Sequence, residues 1–129
     1  MGNYPDTLRY TKEHEWARIA GNVATVGITI FAKDQLGDVV YLELPEVGAT
    51  VTRGQPFGVV ESTKAVSELF APVTGKVTKV NKALVEAPEG INDDPHEKGW
   101  MLEIEMSQPK EAGELLSAKQ YEELLAQEH

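Results

Sequence analysis

The sequence contains no cysteine. That single absence excludes a thiol nucleophile, a disulfide framework, a cysteine-ligated zinc ribbon and an iron–sulfur cluster, and it suits a reducing compartment. Bases are outnumbered as well: 12 Lys and Arg against 21 Asp and Glu give a net charge of −9. So acidic a chain repels a phosphate backbone, and no basic stripe interleaved with aromatics offsets the charge, so nucleic acid is not an expected partner. Long hydrophobic runs are missing too. Apolar stretches reach only about four residues, far short of a membrane span. Residues 1–10 show neither an apolar signal core nor the composition of a transit peptide. The chain as it stands is expected to be cytoplasmic, or in the mitochondrial matrix had a transit peptide been removed.

Catalytic signatures are equally scarce. There is no G-x-S-x-G elbow, no P-loop and no dinucleotide-binding glycine pattern. His14, His96 and His129 fall into neither HxH nor HxxxH spacing, and Asn92-Asp93-Asp94 lacks the spacing of an EF-hand. No metal site and no free-standing enzyme are expected.

What the sequence does have is 129 residues, 41% of them hydrophobic, enough to bury the core of one domain. The acidity is concentrated late. Residues 86–108 hold one base against seven acids (−6), and 109–129 hold two against five (−3). A solvated surface is the ordinary reading of such a bias; an acidic patch that steers docking onto basic partners is the alternative.

From Leu8 to Met106 the pattern is short strands punctuated by Gly and Pro. Glu15–Ala20 and Val23–Ile28 flank Gly21-Asn22, a two-residue loop suited to a hairpin. Further strands are predicted at Val39–Leu44, Phe57–Glu61, Val66–Phe70, Lys76–Val80 and Trp100–Met106, the last alternating apolar and charged residues. Thr29 is placed to cap a short helix running to about Leu36, with Gly37 as a left-handed stop. Near the C-terminus Pro109 suits a first helical position, and Ser117-Ala118-Lys119-Gln120 has the form of a capping box. Leu115, Leu116, Ala118, Tyr121, Leu124 and Leu125 then form an apolar stripe, read as a lid on the β core.

Weak internal symmetry joins these elements. Pro45-Glu46-Val47-Gly48 precedes a central pair of strands, and Pro72-Val73-Thr74-Gly75 follows it. The pair meets at Ser62-Thr63-Lys64-Ala65, so a quasi-twofold arrangement places Lys64 at an exposed hairpin tip. Antiparallel strands so arranged close into a compact sandwich or flattened barrel.

A lone surface lysine is ordinarily just solvated, so its surroundings decide the matter. Val59-Val60-Glu61-Ser62-Thr63-Lys64-Ala65-Val66-Ser67-Glu68-Leu69 resembles the lipoyl-lysine segment of the glycine cleavage system H-protein family. The resemblance continues through His14-Glu15-Trp16, Val26-Gly27-Ile28-Thr29, Leu36-Gly37-Asp38-Val39-Val40, Leu44-Pro45-Glu46-Val47-Gly48, Ile91-Asn92 and Gly99-Trp100. It spans about residues 8–125 in order, and the ordered series is far more specific than any one of its parts.

The resemblance implies a mainly β, barrel-sandwich hybrid fold of the lipoyl- and biotinyl-carrier type. It would be one lipoyl-carrier domain, core about 8–106, with a short helix in the N-terminal half and a C-terminal helical segment over about 109–127. It implies lipoate amide-linked to Lys64 and no activity of the chain alone. The carrier would take the aminomethyl group from a pyridoxal-phosphate glycine decarboxylase to an aminomethyltransferase, and the reduced arm to dihydrolipoamide dehydrogenase; the hard chemistry belongs to the cofactors. A lipoate-attaching enzyme is a fourth partner, and the chain is expected to be a monomer. Glu61 and Glu68 flank the attachment site as recognition elements or as plain surface acids. In the family the loaded arm folds into a cleft near positions matching Glu13, Glu15 and Glu68. Glu15 is favoured there, as part of His-Glu-Trp, to hold the ammonium form.

Ile30-Phe31, Lys33, Gln35 and Thr63 depart from the family's usual residues. Gln35 stands where some members have a histidine near the cleft, so it is assigned to the cleft wall, and Phe31 is expected in the core. The rivals are a lipoyl domain or a lipoate-relay carrier serving 2-oxo acid dehydrogenase complexes, a biotin carrier, and an unmodified interaction module. Thr63 and Ala65 beside Lys64 disfavour the biotin carrier, which would show methionines there. Relay needs the same lysine, so only glycine-dependent loading separates it.

Overall fold

The computed structural model describes residues 4–127. Among the described residues nine strands form two antiparallel sheets. The larger takes β1 (Arg9–Tyr10), β2 (Glu15–Ala20), β3 (Val23–Ile28), β9 (Leu102–Met106), β8 (Gly75–Val80) and β5 (Thr50–Val51), in that spatial order. The smaller takes β4 (Val39–Glu43), β6 (Pro56–Ser62) and β7 (Val66–Phe70). The expected mainly β sandwich is present, with helices α1 (Ile30–Leu36), α2 (Lys82–Glu86), α3 (Glu89–Asp93) and α4 (Ala118–Gln127) around it.

Alternation along the strands builds the core. Val26, Val77 and Ile104 from the larger sheet meet Leu42, Val60 and Leu69 from the smaller in one buried cluster. In β9 the apolar Leu102, Ile104 and Met106 are buried while Glu103 and Glu105 face outward, as a half-wet strand requires. In β4 a bulge after Val39 breaks the period and leaves Val40 and Tyr41 both exposed. At the Gly21-Asn22 loop the positive φ (60°) falls on Gly21, and Ala20 pairs with Val23. The two Pro-x-x-Gly turns lead into strands that pair with each other, Val51 opposite Gly75, which gives the internal symmetry a physical contact.

A second cluster of Leu8, Tyr10, Trp16, Ala118, Tyr121 and Leu125 fixes α4 against β1 and β2. The indole of Trp16 lies over Gly27, where any Cβ would strike the ring, and its Nε1–H donates to Pro95 O at 2.9 Å. The capping box is formed: Gln120 N–H donates to Ser117 Oγ (3.2 Å) and Ser117 N–H to Gln120 Oε1 (2.9 Å). Thr29 caps α1, accepting from Ala32 N–H, and Gly37 stops it with φ 84°.

Pro109 does take a first helical position, in a 3₁₀ helix (Pro109–Glu114). Several expectations are corrected. Leu115 and Leu116 precede α4 instead of lying on its stripe, and Leu116 exchanges both backbone hydrogen bonds with Tyr10 (2.8 Å each). Trp100 and Met101 fall outside the last strand. Phe31 is half-buried and not a core residue. Helices α2 and α3 were not expected; each is five residues, too short to carry a helical period. Asn92 lies in α3 and clamps β4, accepting from Val39 N–H at 3.0 Å. His129 lies outside the described residues.

Candidate functional site

The β6–β7 hairpin turns at Thr63-Lys64-Ala65 with no Gly or Pro at the lysine. Ser62 supplies what those residues would have. Its Oγ accepts from Lys64 N–H (3.2 Å) and Ala65 N–H (3.0 Å), while its own N–H donates to Ala65 O (2.8 Å). A serine hydroxyl thereby satisfies two turn amides that no strand can reach. Thr63 N–H donates to Asp38 O at 3.1 Å and ties the tip to the segment after α1. Lys64 is exposed, and among the described residues it forms no ion pair. Its methylene stem runs over Gly37, whose missing side chain would otherwise meet Lys64 Cε at 3.3 Å.

Beside the tip opens a cleft of about 590 Å³. One wall is α1, through Phe31, Ala32, Gln35 and Leu36; the other is the hairpin, through Val60 and the stretch 65–69. The entry to β2 completes it with Glu13, His14 and Glu15. Of the acids read from the sequence, Glu13, Glu15 and Glu68 line this cleft, as does Gln35; Glu61 does not. Glu61 is half-buried in β6, paired with Tyr41 on one side and Val66 on the other. Glu13, Gln35 and Glu68 are exposed at the rim.

Glu15 differs from the other acids. It is 2% exposed, yet its carboxylate accepts from Thr11 Oγ1 (2.7 Å) and from Phe70 N–H (3.1 Å), the last residue of β7. Glu15 therefore stands at the opposite end of β7 from the lysine tip. Burial pushes its carboxyl up to about 7, against the opposing pull of those two hydrogen bonds. The cleft thus runs from beside the exposed Lys64, along walls that mix apolar and polar side chains, to a buried carboxyl whose pKa burial has raised.

The corner that presents Glu15 escapes sequence reasoning. His14 adopts φ 75°, the one non-glycine residue with positive φ among those described. Its ring lies 4.7 Å from that of Phe31, and its Nδ1 is 2.7 Å from the hydroxyl of Tyr121. His96 Nε2 accepts from Ile30 N–H at 3.2 Å, and burial lowers its pKa, which keeps that nitrogen free to accept. A smaller hollow of about 240 Å³ lies by Tyr10, Pro72 and the Arg53–Glu114 ion pair. It contains neither the lysine tip nor Glu15.

A family model described as "Glycine cleavage H-protein" matches residues 8–128. Among curated relatives, the glycine cleavage system H protein of Anaeromyxobacter sp. (strain K) is 62% identical over 117 residues, 91% of each chain. That of Myxococcus xanthus (strain DK1622) is 56% identical over 123 residues, 95% of each. The crystal structure of a glycine cleavage system H protein from Mycobacterium marinum superposes with a TM-score of 0.85 at 42% identity, covering 96% of this chain and 98% of that one.

Proposed function

The chain belongs to the glycine cleavage H-protein family, and from that premise we propose that it carries lipoate on Lys64 and shuttles the aminomethyl group of glycine between the enzymes of the system. The observation that carries this reading is the pairing of an exposed lysine, on a tip pinned by Ser62, with a cleft that ends at the buried carboxyl of Glu15. The partners proposed are glycine decarboxylase, the aminomethyltransferase, dihydrolipoamide dehydrogenase and a lipoate-attaching enzyme.

The residues present suit such a group. An amide to Lys64 Nζ requires an amine that a ligase can reach, and Lys64 is exposed among the described residues. A long alkyl arm ending in sulfur favours apolar walls, and Phe31, Ala32, Leu36 and Val60 provide them. When bound, the lipoyl group supplies a disulfide that accepts the one-carbon unit and a dithiol that is later reoxidised. The chain's own residues orient and shelter. The bare backbone at Gly37 leaves room for the lysine stem, and the α1 wall beside it leads into the cleft.

Glu15 receives the cargo's amine. Burial raises its pKa to about 7, so near neutral pH the buried carboxyl without a cation partner is held partly in its neutral form, at a cost to stability. An arriving ammonium tips it to the charged form and gains a charge-assisted hydrogen bond. Glu13 and Glu68 at the rim add acceptors in solvent, where each pairing is worth little. Glu61 and Glu68 are offered as the acids that the attaching enzyme reads beside Lys64.

The test is cargo specificity. Lipoylated chain incubated with glycine and a glycine decarboxylase should gain the aminomethyl mass, and should gain no acyl group from a 2-oxo acid dehydrogenase component. Acyl loading without glycine-dependent loading would favour the 2-oxo acid reading instead.

A further inference from the structure

The C-terminal helix looks like a lid on the β core, yet its buried tyrosine reaches the functional end of the molecule. Tyr121 is fully buried, and its hydroxyl lies 2.7 Å from His14 Nδ1 and 2.8 Å from Thr29 Oγ1. A phenol has one proton to give and lone pairs to receive, so one group serves both neighbours whichever way the protons run. Each neighbour holds part of the cleft. His14 precedes Glu15 and carries an unfavourable positive φ of 75°. Thr29 caps α1 through Ala32 N–H, and its backbone N–H donates to His14 O at 3.0 Å. Phe31, one residue into that helix, packs against the His14 ring and lines the cleft.

We propose that Tyr121 is a positioning residue for the cleft: its hydroxyl locks His14 to Thr29 and so holds the Glu15 carboxyl and the first turn of α1 in the arrangement that shelters the loaded arm. Tyr121 and Thr29 are buried and His14 is half-buried, so on the Thr29 side a lost partner is not replaced by water, and the His14 corner then has less to hold its strained backbone. Helix α4 thereby contributes the Tyr121 hydroxyl to the carrier site. The inference rests on the carrier reading above.

Tyr121→Phe tests it, because the ring and its stack on Tyr10 (4.8 Å between centroids, 9° between planes) are kept. Tyr10→Phe is the matched control: it removes an equally placed hydroxyl, which donates to Pro5 O at 2.8 Å and not to the cleft. Two measurements are made on each. The first is hydrogen exchange of the Thr29 and Glu15 amides in the unmodified chain. The second is the rate at which the loaded arm loses its cargo, read by intact mass. In that loss water cleaves the carbon–sulfur bond and gives formaldehyde, ammonium and a free thiol.

Tyr121→Phe should raise corner exchange by up to roughly tenfold, the size set by one buried hydrogen bond, and should shorten cargo lifetime several-fold. Tyr10→Phe should leave both near wild type. Equal effects of the two variants, or wild-type behaviour of Tyr121→Phe, would overturn the proposal. Should the wild-type chain lose cargo as fast as a lipoylated peptide, the carrier cleft itself fails, while the exchange data still decide whether Tyr121 holds the corner.

Discussion

Glu15 shows how one burial event sets a chemical property. A carboxyl removed from water prefers its neutral form, and two hydrogen bonds recover only part of the difference. The sign of the linkage follows. The folded-state pKa of about 7 exceeds the ordinary 4.5, so the favourable contribution is complete below 4.5 and is lost as pH rises through 7. Stability of the wild type relative to Glu15→Gln should fall by on the order of 2–3 kcal/mol between those limits, measured by urea denaturation at pH 5 and pH 8. Parallel pH profiles would show that the carboxyl is not held as described. The variant should also retain cargo less well, since an amide cannot take the charged form. In the sequence, Glu15 could be assigned only through its resemblance to His-Glu-Trp, because nothing local reveals its burial. Tyr121 was legible as an apolar stripe position but not as a clamp. Its hydroxyl partners lie 107 and 92 residues away, and spacing along one helix carries no trace of them.

At the scale of elements, local chemistry was most legible where it is self-contained. The Gly21-Asn22 hairpin, the Thr29 cap, the Gly37 stop and the Ser117–Gln120 box each involve residues within a few positions of one another. The short α2 and α3 were not, since five residues cannot display a period and Asn92 is held by β4 far away in sequence. The lysine tip is intermediate: two β-rich runs mark the hairpin, while the role of Ser62 emerges from the turn's backbone. Ser62→Ala removes the acceptor of the Lys64 and Ala65 amides. The turn is exposed, so the global cost should be small, about 0.5–1 kcal/mol. Those two amides should nevertheless exchange faster, and lipoylation should slow as the tip loosens. Unchanged exchange at Ala65 would mean the hydroxyl does not organise the turn.

The molecule as a whole is a sandwich that holds an exposed lysine out and a buried carboxyl in. The larger sheet and α4 fix the Glu15 corner; the smaller sheet supplies the hairpin; α1 lies between them and contributes to both clusters, Ala32 packing on one and Phe31 on the other. This division explains why the proposed attachment point should tolerate substitution without loss of fold. Lys64 is exposed and unpaired among the described residues, so Lys64→Arg should change stability by no more than about 0.5 kcal/mol while removing the only amine in that position. The sandwich itself was legible in the sequence, through strand periodicity and the paired Pro-x-x-Gly turns. The cleft was legible only through the family resemblance, which named Glu13, Glu15, Glu68 and Gln35 for it; nothing local in the sequence reveals it, because its walls are drawn from three separated stretches of chain.

The most direct measurement is intact mass with peptide mapping, on wild type and Lys64→Arg prepared together with lipoate and its attaching enzyme. A single lipoyl adduct confined to the Lys64 peptide of the wild type, and absent from a folded Lys64→Arg chain, is the predicted result. An adduct that persists on the variant, or a wild type left unmodified beside a control protein that is lipoylated in the same preparation, would contradict the account.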